Sequence, residues 1–160
     1  MEGAASLKQI NSLISEIKAG DNAAYRELMN HYYRTVQRFA FQCGVHTTDL
    51  DDVTQEVFIK LYRYINQFND KHFTTWLYKI TLNTTRDYYR KQKKHREKIG
   101  KLQLSMNEQY CNPIDVRFAL DEEDEALHNA ILLLNEKYRY LIVLYYFHDM
   151  TVAEIVKFLN

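Results

Sequence analysis

Apolar residues return every three or four positions along most of this chain, the spacing of one face of an α-helix. Leu7, Ile10, Ile14 and Ile17 form a first stripe, with Ser6 placed to cap it and Gly20 to end it. Asp21 then opens a longer helix whose inward positions are Tyr25, Leu28, Tyr32, Val36, Phe39 and Cys43, closed by Gly44. A third helix is capped by Thr47, Thr48 or Asp49 and turns Val53, Val57, Leu61, Ile65 and Phe68 inward. The stretch 69–75 breaks the rhythm and reads as an ordered surface loop. A fourth helix begins near Thr74 with Leu77, Ile80, Thr84 and Tyr88 on one stripe.

The pattern fades after Lys98, and residues 99–120, with Asn112 and Pro113 inside them, read as a flexible linker. A second unit spans 121–160. Its five opening acids, 121–125, suit the first turn of a helix, where the macrodipole favours negative charge. Ala126, Ala130, Leu133 and Leu134 are its expected inward positions, followed on another helix by Tyr138, Leu141, Ile142, Tyr145 and Tyr146. Thr151 caps a last helix that turns Val152, Ile155, Val156 and Leu159 inward. The expected fold is all-α, with a helical module at 1–98 tethered to a smaller one at 121–160.

Composition sharpens this. One Pro and four Gly in 160 residues are too few for a sandwich or barrel of many tight turns. The longest apolar run, 140–147, is too short to span a bilayer. Residues 1–7 lack the basic-then-apolar order of a signal peptide, so a cytoplasmic protein with no membrane insertion is expected. Cys43 and Cys111 then read as buried or free thiols rather than a disulfide framework. Net charge is zero, yet it is segregated: 79–101 carries nine basic residues against two acids, a local excess of +7. Such a block can bind polyanions in a neutral protein.

Enzyme chemistry finds little support. The chain has no Gly-rich phosphate loop, Gly-x-Ser-x-Gly, His-Glu-x-x-His or Cys-x-x-Cys. Its six histidines are scattered and read as surface residues rather than metal ligands, so no cofactor is expected. The informative stretch is 51–94. It sets an acidic and amide-bearing helix face, an irregular segment, the rings of Phe73, Trp76 and Tyr78, and then Asn83, Arg86 and a basic tail on one short module. Single-stranded DNA is held by such a mixture, cations neutralising phosphates and aromatic faces holding unstacked bases. Trp76 and Tyr78 serve equally well as packing residues, and a basic run closing a helix is often only a solvated end.

Two motifs favour the first reading. DDVTQEVFIKLY at 51–62, followed by FTTWLYKITLN at 73–83, resembles region 2 of the extracytoplasmic-function (ECF) sigma factors of bacterial RNA polymerase. LNEKYR at 134–139, YYF at 145–147 and TVAEI at 151–155 are similar to the start of region 4. The resemblance implies that Asp51, Asp52, Gln55 and Glu56 dock on the clamp helices of the largest subunit of core polymerase. It implies that 69–75 captures a base flipped from the non-template strand of the promoter -10 element. The DNA-contacting set it assigns is Asn69, Lys71, His72, Phe73, Thr75, Trp76, Lys79, Asn83, Arg86, Arg90 and Lys91. Tyr88 reads as core and Tyr89 as a surface stacking residue.

The family also implies an anti-sigma protein as partner. In the family, region 4 continues into a recognition helix for the -35 element. The sequence closes at Asn160 just before that position, so no residue here is assigned to -35 recognition, and Ile155 and Leu159 are expected to be left uncovered. The same features suit a second reading: a sigma-like interaction protein, or decoy, that binds polymerase or an anti-sigma factor without initiating transcription.

Overall fold

The computed structural model describes residues 7–69, 72–100 and 122–160; Ser6, Lys71, Cys111 and nearly all of the expected linker lie outside the described residues. Every regular element among the described residues is helical. Helices α1 (Leu7–Lys18), α2 (Asn22–Gln42), α3 (Leu50–Tyr64) and α4 (Phe73–Gly100) pack together, with short 3₁₀ turns at Thr47–Asp49 and Ile65–Gln67. Helices α5 (Glu122–Leu133), α6 (Glu136–Ile142) and α7 (Val152–Leu159) follow, and a π-helical turn, Val143–Phe147, extends α6.

Punctuation around α2 is as the sequence dictates, whereas at α3 Asp49 holds the N-cap position without a side-chain cap bond, its carboxylate accepting from the Tyr88 hydroxyl instead. The Asp21 carboxylate accepts from the Ala23 and Ala24 amides at 2.8 and 3.3 Å, satisfying donors that α2 cannot. Gly20 and Gly44 end their helices with φ of +96° and +99°, in the left-handed region where glycine avoids the Cβ clash. The inward stripes join one core of Ile10, Ile14, Ile17, Leu28, Tyr32, Val36, Val57, Leu61, Ile65, Phe68 and Leu77. Helices α3 and α4 carry buried threonines whose hydroxyls donate back along their own helix, Thr54 to the Leu50 carbonyl at 2.6 Å and Thr81 to that of Leu77 at 2.9 Å.

The second unit departs from its expected faces. Leu133, Tyr138 and Tyr146 are 76, 61 and 71% exposed, while Ile131, Tyr140, Val143 and Leu144 are buried instead. The apolar run 140–147 has no polar position to mark an outer side, and the π turn rotates its facing by its own departure from 3.6 residues per turn. On α7, Ile155 and Phe158 point in and Val152 and Val156 stay exposed, so Ile155, expected to be uncovered, is core. Thr151 does cap α7, in a capping box with Glu154.

Nor are the C-terminal helices merely tethered. Phe39 and Cys43 of the α2 end and Tyr78 and Leu82 of α4 share one buried cluster with Ile131, Tyr140, Val143, Leu144, Met150, Ile155 and Phe158. The Arg139 guanidinium clamps three carbonyls, those of Leu132 at 2.6 Å, Leu134 at 3.1 Å and Cys43 at 3.3 Å, and so ties two helix ends together. His128 stacks on Phe41 at 4.1 Å between centroids, and His148 is half-buried; neither is the surface histidine expected.

Candidate nucleic-acid interface

Helix α3 presents Asp52, Gln55 and Glu56 to solvent, because the buried Val53, Thr54, Val57 and Phe58 claim the opposite side. Asp51 does not join that face. It is half-buried and accepts from Gln37 Nε2 at 2.7 Å and Tyr33 O–H at 3.4 Å, which tie it to α2. Sequence spacing missed a neighbour: Ile59, four positions after Gln55, is 51% exposed and extends the polar face with an apolar side chain. An exposed large apolar residue at i+4 of a docking candidate was the available signal.

The expected loop is shorter than 69–75, since α4 already begins at Phe73. Phe73 is a core residue, 4% exposed and packed on Tyr32, Phe68 and Trp76 at centroid distances of 5.3, 5.7 and 5.9 Å. It anchors the segment and offers no ring to a base. Trp76 is half-buried, leaning on Phe68 at 4.9 Å, with part of its indole open. Thr75 is half-buried, and Asn69, His72, Lys79 and Asn83 are exposed.

On an α-helix, residues three, four and seven apart share a face. His72, Trp76, Lys79, Asn83, Arg86 and Arg90 therefore align along α4, about 21 Å from Trp76 to Arg90 at 1.5 Å per residue. Lys91 falls outside this stripe. It lines a cleft of 230 Å³ against α3, with Asp52, Glu56, Lys60 and Asp87. In the same cleft Lys60 pairs with Asp87 at 2.9 Å, and Asp87 also reaches Arg90 at 3.4 Å.

The two tyrosines after Arg86 are both fixed. Tyr88 donates to Asp49 at 2.6 Å, and burial together with that carboxylate pushes its phenol well up. Tyr89 donates to the Cys43 carbonyl at 2.9 Å and faces the C-terminal helices, so it is no free stacking platform; burial raises its phenol to about 12. Cys43 is fully buried with its thiol pushed up by desolvation, an inert packing group. Among the described residues no cluster of His, Cys, Asp or Glu is arranged to hold a metal ion, and no helix is long and apolar enough to cross a membrane.

Comparison with known proteins fits this geometry. Residues 28–95, which hold both α3 and the whole α4 stripe, match the sigma-70 region 2 family. That match marks a sigma-70 region 2 within the chain. The ECF RNA polymerase sigma factor SigW of Bacillus subtilis (strain 168) is 31% identical over 160 residues, covering 94% of this chain and 85% of that protein. The ECF RNA polymerase sigma-E factor of Escherichia coli (strain K12) is 38% identical over 77 residues, 48% of this chain and 40% of its own. The chain belongs to the ECF sigma factors.

Two solved structures share the fold. CnrH, determined in complex with the cytosolic domain of CnrY, superposes with a TM-score of 0.65 at 23% identity, covering 94% of this chain and 82% of that one. An engineered region 2 of sigmaE, determined in complex with GTAAAA, gives a TM-score of 0.50 at 33% identity over 59% of this chain and 94% of its own.

Proposed function

We propose that this chain is a sigma factor that docks on core RNA polymerase through α3 and opens the promoter -10 element along α4. The 1–98 part acts as region 2 and 121–160 as a partial region 4. Asp52, Gln55 and Glu56 form the docking face, with Ile59 beside them. A carboxylate–amide face of this kind suits the basic clamp helices of the polymerase. Asn69 and His72 lie at the entrance to α4, where an extruded base would be held, with Thr75 and the open part of Trp76 next to them, and Lys71, outside the described residues, is assigned to the same set. Extrusion costs a few kcal/mol of unstacking, which these contacts must offset. Lys79, Asn83, Arg86 and Arg90 then follow the strand. The chain performs no covalent step, and an anti-sigma protein covering these surfaces is the partner that the family implies.

The observation that carries this reading is the α4 stripe: exposed Lys79, Asn83 and Arg90 on the same face as half-open Trp76 and Arg86, within the region 2 match. A relative of that region, 33% identical, is the one determined with GTAAAA. Pull-down with core polymerase tests the docking face, and Asp52→Lys/Gln55→Ala should be retained far less than wild type. Equal retention removes the assignment. Run-off transcription separates initiation from the decoy reading, since a decoy binds core polymerase and yields no transcript.

A further inference from the structure

Arg86 is already engaged before any DNA arrives. Its Nε lies 3.2 Å from Glu136 Oε1, and its guanidinium sits over the Tyr140 ring at 5.3 Å, both contacts supplied by α6. Arg86, Tyr89, Arg90 and Lys93 share one face of α4, and together with Glu136 they line a cleft of 360 Å³. Helix α6 thus covers Arg86 and places a carboxylate at the edge of the cleft, while Arg90 and Lys93 stay exposed beside it. A phosphate and the Glu136 carboxylate are like-charged competitors for the same guanidinium, and the Tyr140 ring blocks its other approach.

The closure is built rather than incidental. Buried apolar residues of both units hold it, with Arg139 reaching the Cys43 carbonyl and His148 reaching Tyr78 and Gln42. From this we infer that the C-terminal helices act as an intramolecular latch: their docked state masks the Arg86 end of the α4 stripe, and single-stranded DNA and docking exclude each other there. The inference rests on the reading of Arg86 as a phosphate contact. Linkage then requires reciprocity: whatever weakens docking strengthens strand binding, and strand binding opens the chain.

The double variant His148→Ala/Arg139→Gln removes hydrogen bonds across the interface and touches nothing on the stripe. It also lowers the positive charge by one, so simple electrostatics predicts weaker DNA binding. The latch predicts the reverse. A labelled single-stranded GTAAAA oligonucleotide, followed by fluorescence anisotropy on the full chain, should bind the variant about fivefold or more tightly than wild type. Small-angle scattering should show a larger radius of gyration for the variant, and for wild type saturated with oligonucleotide. An expanded variant with unchanged or weaker binding overturns the latch, as does a variant that does not expand, or wild type that binds without expanding. If neither chain binds the oligonucleotide, the DNA reading itself fails.

Discussion

His148 and Tyr78, 70 positions apart in the chain, meet at 3.0 Å between imidazole Nδ1 and phenol hydroxyl. The other ring nitrogen lies 2.8 Å from Gln42 Oε1, and the ring stands edge-on to Phe39 at 5.0 Å. A neutral imidazole protonated on Nε2 satisfies both bonds, accepting from Tyr78 and donating to Gln42. Burial holds its pKa down to about 4, with Arg38 adding to the shift and Asp149 opposing it.

That depression makes docking sensitive to acid. The imidazole of an undocked or unfolded chain titrates near 6.5, so protons bind the open state first as pH falls, and docking loses stability from about pH 6.5 down toward 4. The loss at pH 5 should be about 2 kcal/mol. Urea titrations of wild type and His148→Gln at pH 7.5 and 5 test this. The variant should show a smaller drop between the two values, and equal drops would remove His148 as the cause.

Phe73 and Lys79 sit six positions apart on one helix and should fail in different ways. Phe73→Ala empties a core site and should cost about 3–5 kcal/mol of stability. Lys79→Ala should leave stability within about 0.5 kcal/mol and reduce the salt slope of oligonucleotide binding by about 0.7, one phosphate on a single strand. Denaturation midpoints and anisotropy at several salt concentrations separate the two.

Gly20 and Gly44 both hold a left-handed φ, yet their surroundings differ. A Cβ at Gly20 meets open space, whereas one at Gly44 would run into the Tyr89 hydroxyl, Leu132 and Arg139. Gly20→Ala should cost about 1 kcal/mol from backbone strain alone. Gly44→Ala should cost clearly more and should also loosen the C-terminal helices, visible as faster amide exchange across α5 and α6.

Thr151 should matter out of proportion to its exposure. Its hydroxyl and the Glu154 carboxylate satisfy each other's backbone donors, and those bonds hold the Glu154 carboxyl below its ordinary pKa. Thr151→Ala should cost about 1 kcal/mol, read as a lower midpoint of thermal unfolding.

What the sequence by itself determined was the first four helices: where Asp21, Gly20 and Gly44 start and stop them, which positions turn inward, and the two motifs that mark region 2. Those helices are amphipathic, so burial leaves each one choice of face, and a polar outer side makes that choice visible in one dimension. Only the tertiary structure decided the rest. The run 140–147 is apolar on every side, and which of its residues became core depended on a π turn and on the surface it met. Asp51 and Glu56 look alike in the chain, and only packing against Gln37 took the first from the exposed face. Phe73 and Trp76 are both aromatic, and only the neighbouring rings buried one and left the other half-open. Arg86 reads as a free cation until folding sets Glu136, fifty residues later, beside it. Local periodicity fixes which side of a helix is oily, whereas pairing between distant charges requires the helices to be docked first.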